Sequence, residues 1–351
     1  VIDGLAVVDK PAGMTSHDVV ARCRRIFQQR KVGHAGTLDP DATGVLLVGL
    51  GRATRLLQFH SGLRKRYDAD IVLGVATSTL DAAGEVTGRW DQRQVTLDDA
   101  RRAAAQLTGV IWQTPPMVSA VKVGGRRLHE MARRGLEVDR QPRQVEVTCF
   151  AVDRSWPAGE GAADARAGEP GGARVVDGAL TPESAGGPDA GGAARPPGTG
   201  TLLSGNSTGF SGESAAGAGP VLGVRVECSA GTYVRVLAAD LGAALGGGAH
   251  VGRLRRTAVG PWTEAMATRL EELSVGDVIA PVASLPWLEA VSVSTERARE
   301  IENGRVLPRD GFDGHGQGPW RVIGPNGDLL AVYQAHGADH VKPAVVLPPP
   351  I

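Results

Sequence analysis

Residues 31–55 read KVGHAGTLDPDATGVLLVGLGRATR. A polar, glycine-rich turn leads into an apolar run, Val45–Leu50, of strand length. Asp39 stands at the centre of the turn, directly before Pro40, with Asp41 two residues on. An Asp in that position ordinarily shapes the turn. The segment therefore places a carboxylate, a histidine (His34) and several glycines immediately before a strand, and the surrounding elements decide what they serve.

Outward from this segment, strands and helices interleave irregularly. Leu5–Asp9 reads as a strand, followed by a turn at Pro11-Ala12-Gly13. Thr15 or Ser16 can cap a helix over about residues 18–28. Arg66–Val75 and Val118–Val123 read as strands, and Leu97–Leu107 and Tyr233–Leu245 have helical spacing. Gln144–Asp153 (QVEVTCFAVD) and Val221–Cys228 (VLGVRVEC) alternate as strands do. This order predicts an α+β fold, not a doubly wound parallel sheet. After about Ala290 a short helix, Thr295–Asn303, precedes turn-rich strands to Ile351. The expected domains are residues 1–289 and a small β-rich unit, residues 290–351.

Between the two alternating strands lies a different kind of polymer. Residues 157–220 hold 17 Gly, 14 Ala and 7 Pro, so 38 of 64 positions are small or conformationally awkward. Such a stretch cannot bury enough apolar surface to offset its ordering entropy. It is expected to be a disordered insertion between two neighbouring strands, since loop-closure entropy grows slowly with length. A linker between domains is the rival reading.

Composition narrows the function classes. Across 351 residues, 38 basic residues balance 38 acidic ones and 42% are hydrophobic, which excludes a basic tail protein and a wholly disordered one. The distribution is uneven. The insertion carries seven acidic and three basic residues, a net of −4, leaving +4 for the remainder. Residues 1–66 carry eleven basic and five acidic residues, a net of +6. Arg126-Arg127 and Arg253-x-Arg255-Arg256 add basic clusters, while Arg133-Arg134 reads as a solvated face. No apolar run approaches the roughly 20 residues of a membrane span. Cys23, Cys149 and Cys228 have neither disulfide-framework nor zinc spacing. Val1–Lys10 lacks an export pattern. A cytoplasmic protein without a metal site is expected.

Three families resemble the central segment. Gly49-x-Gly51-x-x-Thr54 resembles a dinucleotide-binding fingerprint, but its third glycine is Thr and the later acidic residue has no clear counterpart. Asp39-x-Asp41-x-Thr43 resembles the nucleophile motif of haloacid-dehalogenase-type phosphatases. That motif follows its strand, whereas here the strand comes afterwards. The third resemblance covers most of the chain. Gly33–Leu46 matches throughout the pattern G-H-x-G-x-L-D-P-x-A-T-G-x-L of the TruB-type pseudouridine synthases. Six further blocks resemble that family in order. They are Asp9-Lys10-Pro11-x-Gly13-Met14-Thr15-Ser16, Lys65-Arg66-Tyr67, Thr79-x-Asp81-x-x-Gly84, Pro115-Pro116-Met117-x-Ser119-Ala120-x-Lys122, Cys228-Ser229-x-Gly231-Thr232-Tyr233-Val234-Arg235 and Gly248-Ala249-His250-x-x-x-Leu254-Arg255-Arg256-Thr257. The insertion has no counterpart in shorter members, and the C-terminal segment matches loosely.

The resemblance implies a pseudouridine synthase fold, a mixed and mainly antiparallel sheet with a PUA-like C-terminal domain. It implies isomerisation of uridine 55 in the T-loop of transfer RNA, without cofactor, membrane or guide RNA, by a monomer. Asp39 is then the nucleophile or electrostatic partner at the sugar–base junction, and the residues leave open whether it adds to the base or attacks the sugar. Arg235 holds it ionised and oriented. Tyr67 stacks on the flipped uracil and manages a proton. His34 enters the RNA loop, Tyr233 contacts the base or positions Arg235, and Leu254 forms an apolar wall. Lys10 falls among the substrate-binding residues, although bracing the catalytic loop suits it better. A factor that only helps transfer RNA fold is the competing class, and it has no need of such an aspartate.

Overall fold

A computed structural model describes residues 1–117, 122–123, 126–127, 138–156, 219–310 and 312–347. The insertion up to residue 218, Ser119 and Ala120 of the proline-serine-alanine-lysine block, and Arg133-Arg134 lie outside the described residues, and the expected Val118–Val123 strand is described only at Lys122–Val123. Among the described residues no helix is long and apolar enough to cross a membrane.

The strands, in chain order, are β1 (Gly4–Lys10), β2 (Val32–Ala35), β3 (Thr43–Leu50), β4 (Lys65–Leu73), β5 (Val75–Thr77), β6 (Val86–Arg89), β7 (Gly109–Gln113), β8 (Lys122–Val123), β9 (Arg126–Arg127) and β10 (Arg143–Trp156). They continue as β11 (Val221–Cys228), β12 (Ala249–Val259), β13 (Trp262–Thr263), β14 (Thr268–Arg269), β15 (Glu289–Ser292), β16 (Leu307–Pro308), β17 (Trp320–Ile323), β18 (Leu329–His336) and β19 (His340–Val346). The helices are α1 (Ser16–Ile26), α2 (Leu57–Ser61), α3 (Leu97–Gln106), α4 (Val234–Ala244) and α5 (Thr295–Glu302). The fold is α+β. One sheet runs β14-β1-β3-β12-β4-β11-β10-β7, with β2 on β3 and β13 on β12. Its pairings are antiparallel except β1–β14 and β3–β12. A second sheet, β15-β17-β18-β19-β16, follows from Glu289 onward.

Both faces of the central strands are buried, which explains their continuous apolar run. Leu46, Val48 and Leu50 pack with Val19, Val20 and Cys23 of α1, while Val45 and Leu47 pack with Val259 and Trp262 on the other face. Thr15 starts α1 with a reciprocal capping box: its hydroxyl accepts from the Asp18 amide, and the Asp18 carboxylate accepts from the Thr15 amide. Farther along the sheet, α3 and α4 cover β4, β10, β11 and β12 through Ala104, Leu237, Leu241, Ile71 and Val224. β10 and β11 pair antiparallel, with Trp156 opposite Val221. The stretch 157–220 thus connects two cross-strand neighbours. The second sheet also touches the first: Leu285, Leu329 and Val345 pack on Ala53 and Leu56, just after β3.

Candidate active site

The loop between β2 and β3 carries Asp39, and three buried side chains hold it in place. Lys10, at the end of β1, is fully buried, and its Nζ donates to the carbonyls of Pro40 (2.8 Å), Pro11 (2.8 Å) and Met14 (2.6 Å). Burial lowers the Lys10 ammonium to about 8. Ser16 and Leu38 bond reciprocally, with the Leu38 amide donating to Ser16 Oγ at 2.9 Å. Arg256, from β12, donates to the carbonyls of Val45 (2.7 Å) and Gly36 (3.0 Å). The loop must also pass close to β12. Gly44 has φ +98°, and a Cβ there would strike the Arg256 carbonyl.

Arg235 reaches Asp39 from the first turn of α4. Its Nε lies 3.0 Å from Asp39 Oδ2 and its Nη2 donates to Oδ1 at 3.1 Å, a bidentate pair. The remaining Nη1 donates to Asp81 Oδ2 at 3.0 Å and to the Thr79 carbonyl at 2.9 Å. A cation in the first turn opposes the helix dipole, so these two carboxylates supply what the helix does not. The Arg235 side chain is 5% exposed, while that of Asp39 keeps 39%. Withdrawal from water raises the Asp39 carboxyl above its ordinary value. Arg235 pulls it down, and Asp81 adds to the rise. The pair is thus poised between a desolvated acid and a paired carboxylate.

Two clefts flank this ion pair. One, of about 270 Å³, is lined by Asp39, Tyr67, Thr232, Tyr233, Arg235 and Leu254, with Lys65 and Arg256 at its wall. The other, of about 220 Å³, lies across the pair and is bordered by Asp41, Asp81, Val251 and Leu254. Five of the seven residues singled out in the sequence, Asp39, Tyr67, Tyr233, Arg235 and Leu254, therefore line one cleft. Tyr67 stands on β4, and burial raises its phenol above the ordinary value. Tyr233 precedes α4, where Gln113 Oε1 accepts from its amide at 3.0 Å. Lys10 does not line the cleft; its three carbonyl bonds make it a brace of the Asp39 loop. His34 lies on β2, half-buried, with its ring 5.2 Å from His17 and nearly perpendicular to it. Its Nδ1 is buried with no partner among the described residues, and burial lowers the imidazole to about 4, leaving it neutral at neutral pH.

The sequence reading did not place Asp81, Lys65 or Arg256 in the site. Asp81 was visible only as the acid of a turn motif, because nothing local shows that the turn folds over Arg235, 154 residues away. Lys65 was visible only as the basic residue before Tyr67. Its Nζ donates to the Ser61 and Leu63 carbonyls, both at 2.6 Å.

This geometry agrees with what the comparisons show. The chain matches the model for the TruB family pseudouridylate synthase (N terminal domain) over residues 24–157, and that for the tRNA pseudouridylate synthase B C-terminal domain over residues 235–280. A tRNA pseudouridine synthase B of Thermobifida fusca (strain YX) is 40% identical over 352 residues, spanning 98% of each chain. One from Mycolicibacterium paratuberculosis is 39% identical over 353 residues, spanning 99% of this chain and 98% of its own. Among solved structures, a chain of a Cbf5-Nop10-Gar1 complex superposes with a TM-score of 0.63 at 22% identity, covering 99% of this chain and 85% of that one. A chain of an H/ACA RNP bound to a substrate RNA containing 2′-deoxyuridine gives 0.61, also at 22%, with the same coverage. At that identity the likeness concerns the fold. Full-length identity near 40% carries the assignment: the chain belongs to the TruB family of pseudouridylate synthases.

Proposed function

We propose that this protein isomerises uridine to pseudouridine at position 55 in the T-loop of transfer RNA, with Asp39 as the nucleophile. The single observation that carries the reading is the Arg235–Asp39 pair set in the wall of a cleft lined by Tyr67, Tyr233 and Leu254. In the reaction the N1–C1′ bond breaks, the uracil turns, and a C5–C1′ bond forms. C5 gives up its proton and N1 takes one, so the product is an isomer and no redox cofactor is needed. Asp39 meets the electron deficit at the sugar, Arg235 keeps it ionised and oriented, and Tyr67 stacks on the base. Leu254 closes the apolar side. A stacked uridine must be flipped out to reach Asp39, at a cost of about a few kcal/mol. His34, neutral and held at the edge of the loop, stands ready to fill the place it leaves.

The remaining assignments follow from this reading. Exposed basic residues of 1–66, Arg22, Arg25, Arg30 and Lys31 among them, supply phosphate contacts to the T-arm, whereas the Arg253–Arg256 cluster, read from the sequence as part of that surface, is engaged within the protein. The five-stranded sheet after Glu289 is a PUA-type module that extends the RNA surface. The enzyme acts in the cytoplasm as a monomer and without a guide RNA.

The test is a map of pseudouridine in transfer RNA from cells that lack the protein, re-supplied with wild type or Asp39→Asn. Position 55 is expected to stay uridine without the protein and with Asp39→Asn, and to be converted with wild type. An unchanged T-loop in the deletion overturns the assignment.

A further inference from the structure

Lys10 and Lys65 are both buried, at 0% and 7% exposure, but their ammonium groups are not equally satisfied. An ammonium has three donors. Lys10 uses three, on the carbonyls of Pro11, Met14 and Pro40, and does not line the cleft. Lys65 uses two, on the carbonyls of Ser61 and Leu63, and it lines the cleft beside Ser61. None of the ion pairs among the described residues includes it. A buried cation that lacks one acceptor is costly. The cleft has the same imbalance. Three cations line it, Lys65, Arg235 and Arg256, against one carboxylate, Asp39, and Arg235 holds that carboxylate in a bidentate pair. The uncompensated charge lies on the side of β4, where Lys65 and Tyr67, two residues apart, present their side chains to one face about 7 Å from each other.

In the isomerisation the electron pair of the N1–C1′ bond leaves with the uracil while Asp39 meets the sugar. The detached ring is an anion, its charge shared among N1, O2 and O4, until C5 returns the pair in the C5–C1′ bond. C5 then loses a proton and N1 gains one. We propose that Lys65 is a catalytic residue for this step: its remaining N–H donates to a carbonyl oxygen of the uracil that Tyr67 stacks on, and its charge stabilises the ring while it is detached. Lys65 keeps its proton throughout. The inference rests on the proposed reaction and adds to it the group that bears the charge of the base.

Lys65→Met keeps much of the side-chain volume and removes its charge and donors. The single-turnover rate at saturating transfer RNA is expected to fall by about 100-fold, the scale of one lost donor to a developing anion, with affinity within about threefold. A loss carried by affinity, with the rate near wild type, makes Lys65 a phosphate contact and overturns the proposal. A merely structural lysine would slow all substrates alike. The comparison is therefore repeated on transfer RNA with 5-fluorouridine at position 55, read as loss of the N1-linked nucleoside. Fluorine draws charge from the detached ring, so Lys65→Met is expected to cost at least about tenfold less there. Equal costs on the two substrates overturn the proposal. Should Lys65→Met not fold, the wild-type chain decides. Its kcat/KM reports the free enzyme and is expected to fall as pH rises past about 8, where Lys65 loses its proton. The groups facing Lys65 are Arg256 from β12 and Cys228 from β11, and Cys228 gives up its proton only near 11. Lys10 titrates in the same range, so the fall must persist in Lys10→Met. A kcat/KM that rises through pH 8, or a fall that vanishes in Lys10→Met, overturns the proposal. Turnover retained by Asp39→Asn sinks the reaction scheme itself. An inactive Asp39→Asn beside a Lys65→Met of wild-type rate sinks only the role of Lys65.

Discussion

The second sheet and the part of the first sheet around Asp39 are held together by different means. The five-stranded sheet buries Trp320, Phe312 and Tyr333 with Val322, Ala331 and Val341. Phe312 meets Trp320 edge-on at 5.3 Å and stacks on Tyr333 at 6.0 Å. Its two polar aromatic atoms find near partners: Trp320 Nε1 donates to the His315 carbonyl and Tyr333 Oη to that of Arg305, both at 2.8 Å. Around Asp39 the ten-stranded sheet instead buries four cations, Lys10, Lys65, Arg235 and Arg256. Such groups contribute little net stability, because desolvation offsets most of what their partners return. They do fix position. A core that only has to persist is built from apolar area, and a core that has to hold a carboxylate to within a fraction of an ångström is built from directed bonds.

That contrast breaks most sharply at Asp39. Asp39→Asn is expected to slow pseudouridine formation by about 10⁴-fold or more, the scale of a lost nucleophile, with transfer RNA binding nearly intact. Its thermal midpoint should stay close to wild type, since Arg235 keeps Asp81 and the Thr79 carbonyl. Single-turnover assays and a melting curve on the same sample check both halves. A variant that loses stability but keeps turnover would reverse the proposed division of labour.

Trp320→Ala tests the other side. Emptying so large a buried site costs about 3–5 kcal/mol of stability. Chemical denaturation should report that loss, while the single-turnover rate at saturating transfer RNA stays within about threefold of wild type, because Trp320 lies in a core separate from the cleft.

Arg235→Met tests whether charge near the cleft is structural or functional. It leaves Asp39 and Asp81 together without the cation both now share. Breaking a buried pair costs about 3–5 kcal/mol, and the lower end applies because Asp39 is more than a third exposed. The acidic limb of the rate should move to higher pH. The Asp39 carboxyl is already raised by burial, and Arg235 is the chief group opposing that rise. Activity is lost as pH falls through this value, so removing Arg235 moves the loss toward neutrality. A pH–rate profile in which the limb stays put would separate Asp39 from Arg235.

The sequence made the site more legible than the sheet that holds it. The Asp39 turn, Tyr67 and Arg235 stand in short blocks whose residue types announce chemistry, and α1, β11 and α5 follow from caps and alternation. β12 did not. Its segment AHVGRLRRTAV carries three arginines and a glycine, and two bulges, between Val251 and Arg253 and between Arg256 and Ala258, break the alternation that marks a strand. Two of those arginines are neutralised only by tertiary partners: Arg253 by Asp70 on β4, and Arg255 by Asp9 on β1 and Glu264. β2 was hidden for another reason. Four residues, VGHA, are too few for periodicity, and they pair with the end of β3 because the Asp39 loop returns the chain there.

The smallest effect comes from the lysines. Burial lowers Lys10 and Lys65 from 10.5 to about 8 in the folded protein. Below pH 8 both states carry the protons, and the contribution is constant. Between pH 8 and 10.5 the unfolded chain binds more protons than the folded one, so stability rises with pH. For a depressed pKa this contribution is complete above 10.5 and is lost as pH falls through 8. Cys23 and Cys228 oppose it, because burial raises both thiols from 9.0 to about 11, and stability from them declines as pH climbs past 9. The clean window is therefore pH 8 to 9. There each lysine adds at most about 1.4 kcal/mol per pH unit. Urea midpoints at pH 7, 8 and 9 should climb for wild type, and for Lys10→Met by about half as much, since one of two contributors is gone. A flat wild-type curve would mean that the carbonyl cradles of Pro11, Met14 and Pro40 around Lys10, and of Ser61 and Leu63 around Lys65, hold their ammonium groups strongly enough to cancel the desolvation. The cations around Asp39 would then resemble the second sheet, stabilising in their own right, and the difference between the two cores would shrink to one of chemistry alone.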